Sequence, residues 1–445
     1  MRLQRFGTFT GGLDLPEEKF STRDKSTVPI ARPLRLSVPL DPCQLGCSQP
    51  CVIAGQRVHA GELLARSADN MPVFAPLDGA VVGFGQCVLA GGAGPFTSPT
   101  VELTDISPVL PWENAAPTFD WRAAPRDVIL ARIAEGGLTT LADPSVPLAR
   151  LCRLAMEARV DTLIANGLEN QPYLTGEHRL LVEHGPQVVA GLAILAKALS
   201  TPHVALAVDR RNTDHYRQLV KPAIDNFKFQ PVAVLHKYPS GHNVILTKML
   251  TRREVPLGGT TLEARVAVVN VAACLAVYRW VACGQPSTHR VVTVAGVGVE
   301  KPGNYLVPFG AAAAHLLAET EVSLGSSWLC HGGPMTGVSL PAEAVVGPAS
   351  DALLSLPAEG RNQSTACIRC GWCTDHCPVR LDVSNLNDLY ELGRVKRARR
   401  YGVQACLGCG SCSYVCPARL PLTHRMQQLK RAASLLSDAP GPAKE

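Results

Sequence analysis

"CIRCGWCTDHCPVRLDVSNLNDLYELGRVKRARRYGVQACLGCGSCSYVCP", residues 367–417, holds eight of the chain's sixteen cysteines. They fall into two near-copies of one pattern. Cys367, Cys370, Cys373 and Cys377 precede Pro378; Cys406, Cys409, Cys412 and Cys416 precede Pro417. Both read C-x2-C-x2-C-x3-C-P, the spacing that ligates 4Fe-4S clusters. Three thiolates at two-residue intervals wrap a tight loop around three irons of a cube. Small residues at Gly371, Gly408, Gly410 and Ser411 let backbone amides approach the cluster sulfurs. In two-cluster proteins the fourth cysteine of each run serves the other cluster. The expected sets are therefore Cys367, Cys370, Cys373 and Cys416 for one cluster, and Cys406, Cys409, Cys412 and Cys377 for the other. Structural zinc uses paired C-x2-C knuckles without a third evenly spaced cysteine, so zinc is the weaker reading.

The spacer "LDVSNLNDLYELGRVKRARR", residues 381–400, carries apolar residues at three- and four-residue steps, which predicts a helix. Five of the seven residues from Arg394 to Arg400 are basic. They read either as a solvated face or as a docking face for an acidic redox protein. The chain as a whole has 445 residues and a net charge of +6, too modest to imply nucleic acid as a partner. The length suggests about three domains. No apolar run reaches the roughly 18 residues of a membrane helix; the longest, "VAVVNVAACLAVYRWVACG", is broken by Asn270 and Arg279. "MRLQRFGTF" shows no apolar signal segment. These features predict a cytoplasmic protein with no direct bilayer insertion. Sixteen cysteines there point to metal or redox chemistry rather than disulfides.

Upstream, "GQRVHAGELLA" (55–65) and "PVFAPLDGAVVGF" (72–84) alternate short strands with glycine turns, the pattern of a biotinyl/lipoyl-like sandwich. The intervening "SADNMP" has no lysine for a prosthetic group, so the sandwich is read as structural. Residues 111–284 alternate strand-like "DTLIANG" and "HVALAVD" with helix-like "EHGPQVVAGLAILAKAL" and "NTDHYRQLVKPAIDNF". That alternation predicts an α/β layer with a largely parallel sheet. "HRVVTVAGVGVEKPGNYLVPFG" (289–310) reads as a hairpin opening a β-rich domain, and the tail from Ser437 as disordered.

Several blocks together resemble RnfC, the peripheral iron–sulfur subunit of Rnf ion-translocating oxidoreductases. "FTGGLDLPEEK" is similar to the family's F-x-GG-x-H-P-P-E-x-K opening, with Asp14 in place of His. "NGLENQPYLTGEHRLLVEH" is similar to N-G-A-E-C-E-P-Y-L-T-x-D-x-R-L-x-x-E. "YPSGHNVILTKMLTRREVPLGG", "GGPMTGVSLP" and "CLGCGSCSYVCPARLPL" match further blocks. The resemblance implies a multidomain α/β protein: an N-terminal extension at 1–29, a barrel sandwich at 30–110, a Rossmann-like domain of the complex I flavoprotein type at 111–284, an SLBB β-grasp domain at 285–348, an α-helical ferredoxin domain at 349–432 and a disordered tail at 433–445. It also implies NADH reducing FMN on the Rossmann-like domain. Electrons then leave through two 4Fe-4S clusters to membrane subunits of an Rnf-like complex. The chain would sit on the cytoplasmic face of the inner membrane.

One departure weakens the cofactor part. The family's loop E-A-G-I-V-G-L-G-G-A-G-F-P-T is "EGGLTTLADPSVPL" here, residues 135–148. Gly137 is kept, but loop glycines have become Thr140, Ala142, Asp143 and Ser145. Side chains there block amides from a phosphate, and Asp143 adds a like charge. Glu169 retains one family acid, while the second is Gln171. Gly137 and Glu169 are thus the candidate remnants of a degenerate flavin and nicotinamide site. Of the other cysteines, Cys43, Cys47 and Cys51 form a loop trio that reads as reduced thiols ahead of a further metal site. Cys87, Cys152, Cys274, Cys283 and Cys330 read as small buried hydrophobes, and His331 as structural. Three functions compete: an electron-relay subunit, a soluble NADH:FMN reductase of the cobalamin-reductase kind, and a scaffold. The lost glycines argue against the second and the eight-cysteine set against the third.

Overall fold

The computed structural model describes residues 8–436 except 47, 68, 92–93, 113–114, 143–144, 214–215, 218–220, 222–224, 228, 324, 326 and 358–363. Two antiparallel sheets between Leu36 and Thr104 form the barrel sandwich. One orders Leu36–Pro39, Phe96–Thr104, Gly79–Leu89 and Arg57–Val58; the other has Leu63–Arg66 between Gln49–Pro50 and Pro72–Phe74.

A four-stranded parallel sheet follows, in the spatial order Gln230–Val234, His203–Asp209, Thr162–Gly167, Val266–Asn270. Its central strands read as continuous apolar runs because helices cover both faces. In chain order the strands lie 3-2-1-4. The order therefore reverses between Thr162–Gly167 and Val266–Asn270, the place where ligands sit in open α/β sheets. Helices Gly176–Leu199 and Val271–Cys283 leave that edge and pack on each other. The apolar run from Val266 splits at Asn270, whose side chain accepts from the Ala273 amide and caps the second helix. The segment expected to be helical at 212–227 lies partly outside the described residues.

The third sheet is mixed and six-stranded. The hairpin His289–Gly296 and Gly303–Pro308 forms as the sequence suggested. Two further strands join from outside the expected span. Thr27–Pro29 pairs in parallel with Gly303–Pro308, and Ala352–Pro357 pairs in parallel with His289–Gly296. The sheet thus draws on residues assigned to the N-terminal extension and to the start of the cluster segment.

In the cluster segment the spacer forms two helices rather than one, Val383–Glu391 and Val395–Arg400. Gly393 at φ +64° breaks the run between them. Both pack with Leu422–Ser434 around Leu386, Ala398, Val403 and Met426. Among the described residues no helix is long and apolar enough to cross a membrane.

Candidate iron–sulfur centres and flavin-site remnant

The two cysteine runs are a structural repeat with an offset of 39 residues. Arg369, Gly371 and Arg380 have positive φ; so do Gly408, Gly410 and Arg419. Each run turns into a four-residue helix, Trp372–Asp375 and Ser411–Tyr414. The Arg380 amide donates to the Cys377 carbonyl at 3.1 Å, and the Arg419 amide to the Cys416 carbonyl at 3.0 Å. The runs cross over. One cavity is lined by Cys367, Cys370, Cys373 and Cys416, the other by Cys377, Cys406, Cys409 and Cys412. Among the described residues no three His, Cys, Asp or Glu side chains converge on a single ion. A cubane binds its four thiolates on four separate irons, so it asks for ligands spread around a volume.

Backbone amides already face two of these sulfurs. Leu381 donates to Cys377 Sγ at 3.3 Å and Gly408 to Cys406 Sγ at 3.4 Å. Such bonds favour the thiolate. Burial acts against it, pushing the Cys412 thiol up to about 12. Bound iron would supply the positive charge that removes the proton. The residues therefore fit two 4Fe-4S clusters.

The two cavities differ in surroundings. Cys367 and Cys370 are exposed, beside Ile368 (66% exposed) and Trp372 (53%). The Cys406 cavity is enclosed by other parts of the chain. Gly12 donates to the His376 carbonyl, and the Tyr238 hydroxyl to the Cys409 carbonyl. Leu13, Leu15, Tyr238, Met335, Cys409 and Val415 form one apolar cluster. A Cβ on Gly410 would lie 2.5 Å from the Met335 carbonyl oxygen. The blocks "FTGGLDL", "YPSGH" and "GGPMTG" thus meet around this run. Gln171 ties them further: its Oε1 accepts from the Met335 amide at 3.1 Å and its Nε2 donates to Thr336 Oγ1 at 2.8 Å.

At the reversal point of the parallel sheet the chain's own carboxyl groups take the places an anion would fill. Glu169 accepts from the Glu177 and His178 amides at 2.9 Å each, at the start of helix Gly176–Leu199. Glu177 accepts from the Ala272 amide at 2.9 Å, at the start of helix Val271–Cys283, and from Asn270 and Arg290 at 3.2 Å. Helix N-termini of this kind hold phosphates in nucleotide-binding sheets; here carboxylates occupy them. Burial pushes the Glu177 carboxyl up to about 7, against the pull of Arg290. Lys19 of the N-terminal strap, residues 11–30, donates to the Glu169 carbonyl, and Glu17 pairs with Arg211 at the same edge.

The loop replacing the glycine-rich segment closes on itself. The Thr140 amide donates to the Val146 carbonyl at 2.9 Å, and the Val146 amide to Thr140 Oγ1 at 3.1 Å. The Leu141 amide donates to Thr139 Oγ1 and the Leu148 amide to the Leu138 carbonyl. These four amides do not fit a phosphate cradle. Gly137, at φ +59°, has a packing reason to lack a side chain: its Cβ would lie 2.2 Å from the Pro72 carbonyl oxygen of the barrel sandwich. Asp143 lies outside the described residues. Cys43 bonds to Ser145 and Cys51 is exposed, while Cys47 lies outside the described residues. Cys87, Cys152, Cys274 and Cys330 are buried; Cys283 is only partly so. His331 is buried, which lowers its pKa to about 4.

The sequence reading missed Glu177 and Arg290. Glu177 lies unmarked inside the block at 166–184, and Arg290 inside the hairpin stretch at 289–310; only the fold brings these residues, 113 apart in sequence, together.

Comparison with known proteins gives three matches along the chain. Residues 7–104 match the RnfC barrel sandwich hybrid domain, 134–279 the Nuo51 FMN-binding domain, and 360–417 a 4Fe-4S dicluster domain. The C subunit of the ion-translocating oxidoreductase complex of Klebsiella pneumoniae (strain 342) is 29% identical over 392 residues, 85% of this chain and 51% of that protein. Its counterpart in Pectobacterium atrosepticum is 29% identical over 393 residues, 85% and 55%; that of Erwinia tasmaniensis is 30% identical over 388 residues, 85% and 47%. The chain thus spans about half the length of these relatives. Among solved structures, a chain of the NAD+-reducing [NiFe]-hydrogenase in the H2-reduced state covers 70% of this chain, and this chain 63% of it, at a TM-score of 0.47 and 18% identity.

Proposed function

Because this chain is related along 85% of its length to the C subunits of ion-translocating oxidoreductases, we propose that it is the electron-relay subunit of such a complex and works without its own flavin. The observation that carries the reading is the doubled cysteine run folded into two four-cysteine cavities. Cys367, Cys370, Cys373 and Cys416 would hold one 4Fe-4S cluster; Cys377, Cys406, Cys409 and Cys412 would hold the other. Each cluster, when bound, accepts and releases one electron. The chain's part is to fix the ligands, direct amides at the sulfurs and shield the inner site with the strap and the Tyr238 and Met335 loops.

FMN and NADH have no step in this reading. The matched flavin-type domain keeps its sheet. However, four loop amides are engaged internally and the two helix N-termini hold Glu169 and Glu177. Gly137 and Glu169 are accordingly assigned structural roles. The six-stranded sheet is read as the SLBB β-grasp element. Membrane subunits of the complex would hold the chain at the cytoplasmic face of the inner membrane, and electrons would arrive from another protein. The soluble NADH:FMN reductase reading is disfavoured by the same closed loop.

The test is anaerobic purification with iron and sulfide analysis, then titration with FMN and NADH. The expected result is about eight irons, no tight FMN binding and no bleaching of the iron–sulfur absorbance by NADH. Stoichiometric zinc would overturn the relay. Tight FMN binding with rapid NADH bleaching would overturn the flavin-free form of it.

A further inference from the structure

We propose that the basic helix Val395–Arg400, with its flanking residues, is the docking surface for an acidic one-electron carrier protein that delivers electrons on the Cys406 side. The inference rests on the relay reading and names the source that reading leaves open.

The helix is anchored inward by Ala398, and the turn after it by Val403; both are fully buried. Outward it presents Arg394, Lys396, Arg397 and Arg400, all exposed. None of these four has an ion-pair partner among the described residues. The nearest carboxylates on the preceding helix are already committed: Glu391 to Arg425 and Asp388 to Arg369. Among the described residues the positive charge of these four side chains is therefore left uncompensated at the surface. Two exposed apolar side chains flank the helix in sequence, Leu392 (67%) before it and Tyr401 (45%) after it, with the Arg397 guanidinium over the Tyr401 ring. Exposed apolar side chains next to charges of one sign suit a transient protein contact. The charge steers encounter and the apolar spot allows close approach without tight binding.

Position selects the occupant. From Tyr401 the chain turns at Gly402, makes one 3-10 turn at Val403–Ala405 and enters Cys406. Helix Leu422–Ser434 backs the basic helix and sends Lys430 to the Cys406 carbonyl at 2.7 Å. A carrier seated on this face stands beside the inner cysteine set, which the strap and loops close off elsewhere. An anionic lipid surface would also meet the charge, but two apolar side chains offer little to insert. The transfer balances simply: the carrier loses one electron, the cysteine-bound site gains it, and no bond or proton moves.

The probe is an acidic bacterial ferredoxin, used with the intact anaerobic protein. Oxidised ferredoxin should bind by calorimetry at low salt and lose at least about tenfold in affinity when ionic strength is raised past the point where the Debye length falls below about 10 Å. Reduced ferredoxin should bleach the iron–sulfur absorbance in stopped flow with the same salt dependence. The double variant Arg397→Glu, Arg400→Glu should lower both affinity and second-order rate about tenfold or more, with iron content unchanged. Methyl viologen radical serves as control: if it fails to bleach the wild type, the relay reading itself has failed. If viologen bleaches but ferredoxin binding ignores salt and charge reversal, the docking surface is wrong. Cosedimentation with phosphatidylglycerol vesicles, abolished by the double variant while ferredoxin binding is not, would mark a lipid surface and overturn the proposal.

Discussion

Glu177 shows what a single buried carboxyl does at the reversal point of the sheet. Its folded pKa is raised to about 7 from an ordinary value of 4.5. Between those values the folded protein keeps a proton that the unfolded chain has lost. Unfolding then releases a proton, so rising pH favours it. The stabilising contribution is complete below about 4.5 and is lost as pH climbs through about 7. Glu177→Gln cannot ionise. The melting temperature of the wild type minus that of the variant should therefore fall as pH rises across this window. A difference that stays flat with pH would show that the carboxyl titrates normally. Gly137 gives a second test at this scale. Alanine there meets the Pro72 carbonyl and a left-handed backbone together, so Gly137→Ala should cost about 2 to 4 kcal/mol in urea unfolding. Its iron content should stay the same, because the glycine serves packing.

At the scale of elements, the repeat of the cysteine runs separates backbone need from surroundings. Gly371 and Gly410 hold the same place, at φ +81° and +83°. A Cβ on Gly371 meets nothing within 4 Å, whereas on Gly410 it meets the Met335 carbonyl. Gly371→Ala should cost only the left-handed backbone penalty, about 1 kcal/mol, and retain all iron. Gly410→Ala should displace the inner run and lose about half of the iron. Equal losses in the two variants would mean that the Met335 contact does not support the site. The same elements show what the sequence made legible. The cysteine spacing and the buried strands "DTLIANG" and "HVALAVD" carry their signals within a few residues, and so could be read. Thr27–Pro29 and Ala352–Pro357 are short strands whose partners lie far along the chain; no local period marks them. The spacer between the runs kept its helical period through Gly393, where one positive φ ended it. The candidate site divides likewise. The eight cysteines stand out by spacing alone, and the fold gathers them around two cavities; the helix-capping bonds of Glu169 to the Glu177 and His178 amides join residues eight and nine apart and have no spacing that announces them.

At the scale of the whole molecule, the two cysteine cavities differ mainly in cover. Cys367 and Cys370 face solvent, whereas the Cys406 set is wrapped by the strap, the Tyr238 loop and the Met335 loop. Solvent exposure governs how readily an iron–sulfur site is attacked and at what potential it works. Brief exposure to air should therefore remove iron in two phases, with about half lost quickly. Cys373→Ser should abolish the fast phase and Cys412→Ser the slow one, followed by iron release and paramagnetic resonance. A single phase in the wild type would show that the cover does not discriminate.

The strap itself sets an order of events during synthesis. Residues 11–30 are made long before two of their partners, the strand at Gly303–Pro308 and the carbonyl of His376. The strap cannot be fully seated before the residues up to His376 have been made. Domains form from the N-terminus as translation proceeds, so this stretch is made well before the residues that hold it. Until those later residues are in place, the inner cysteine run stands open on the side that the strap closes.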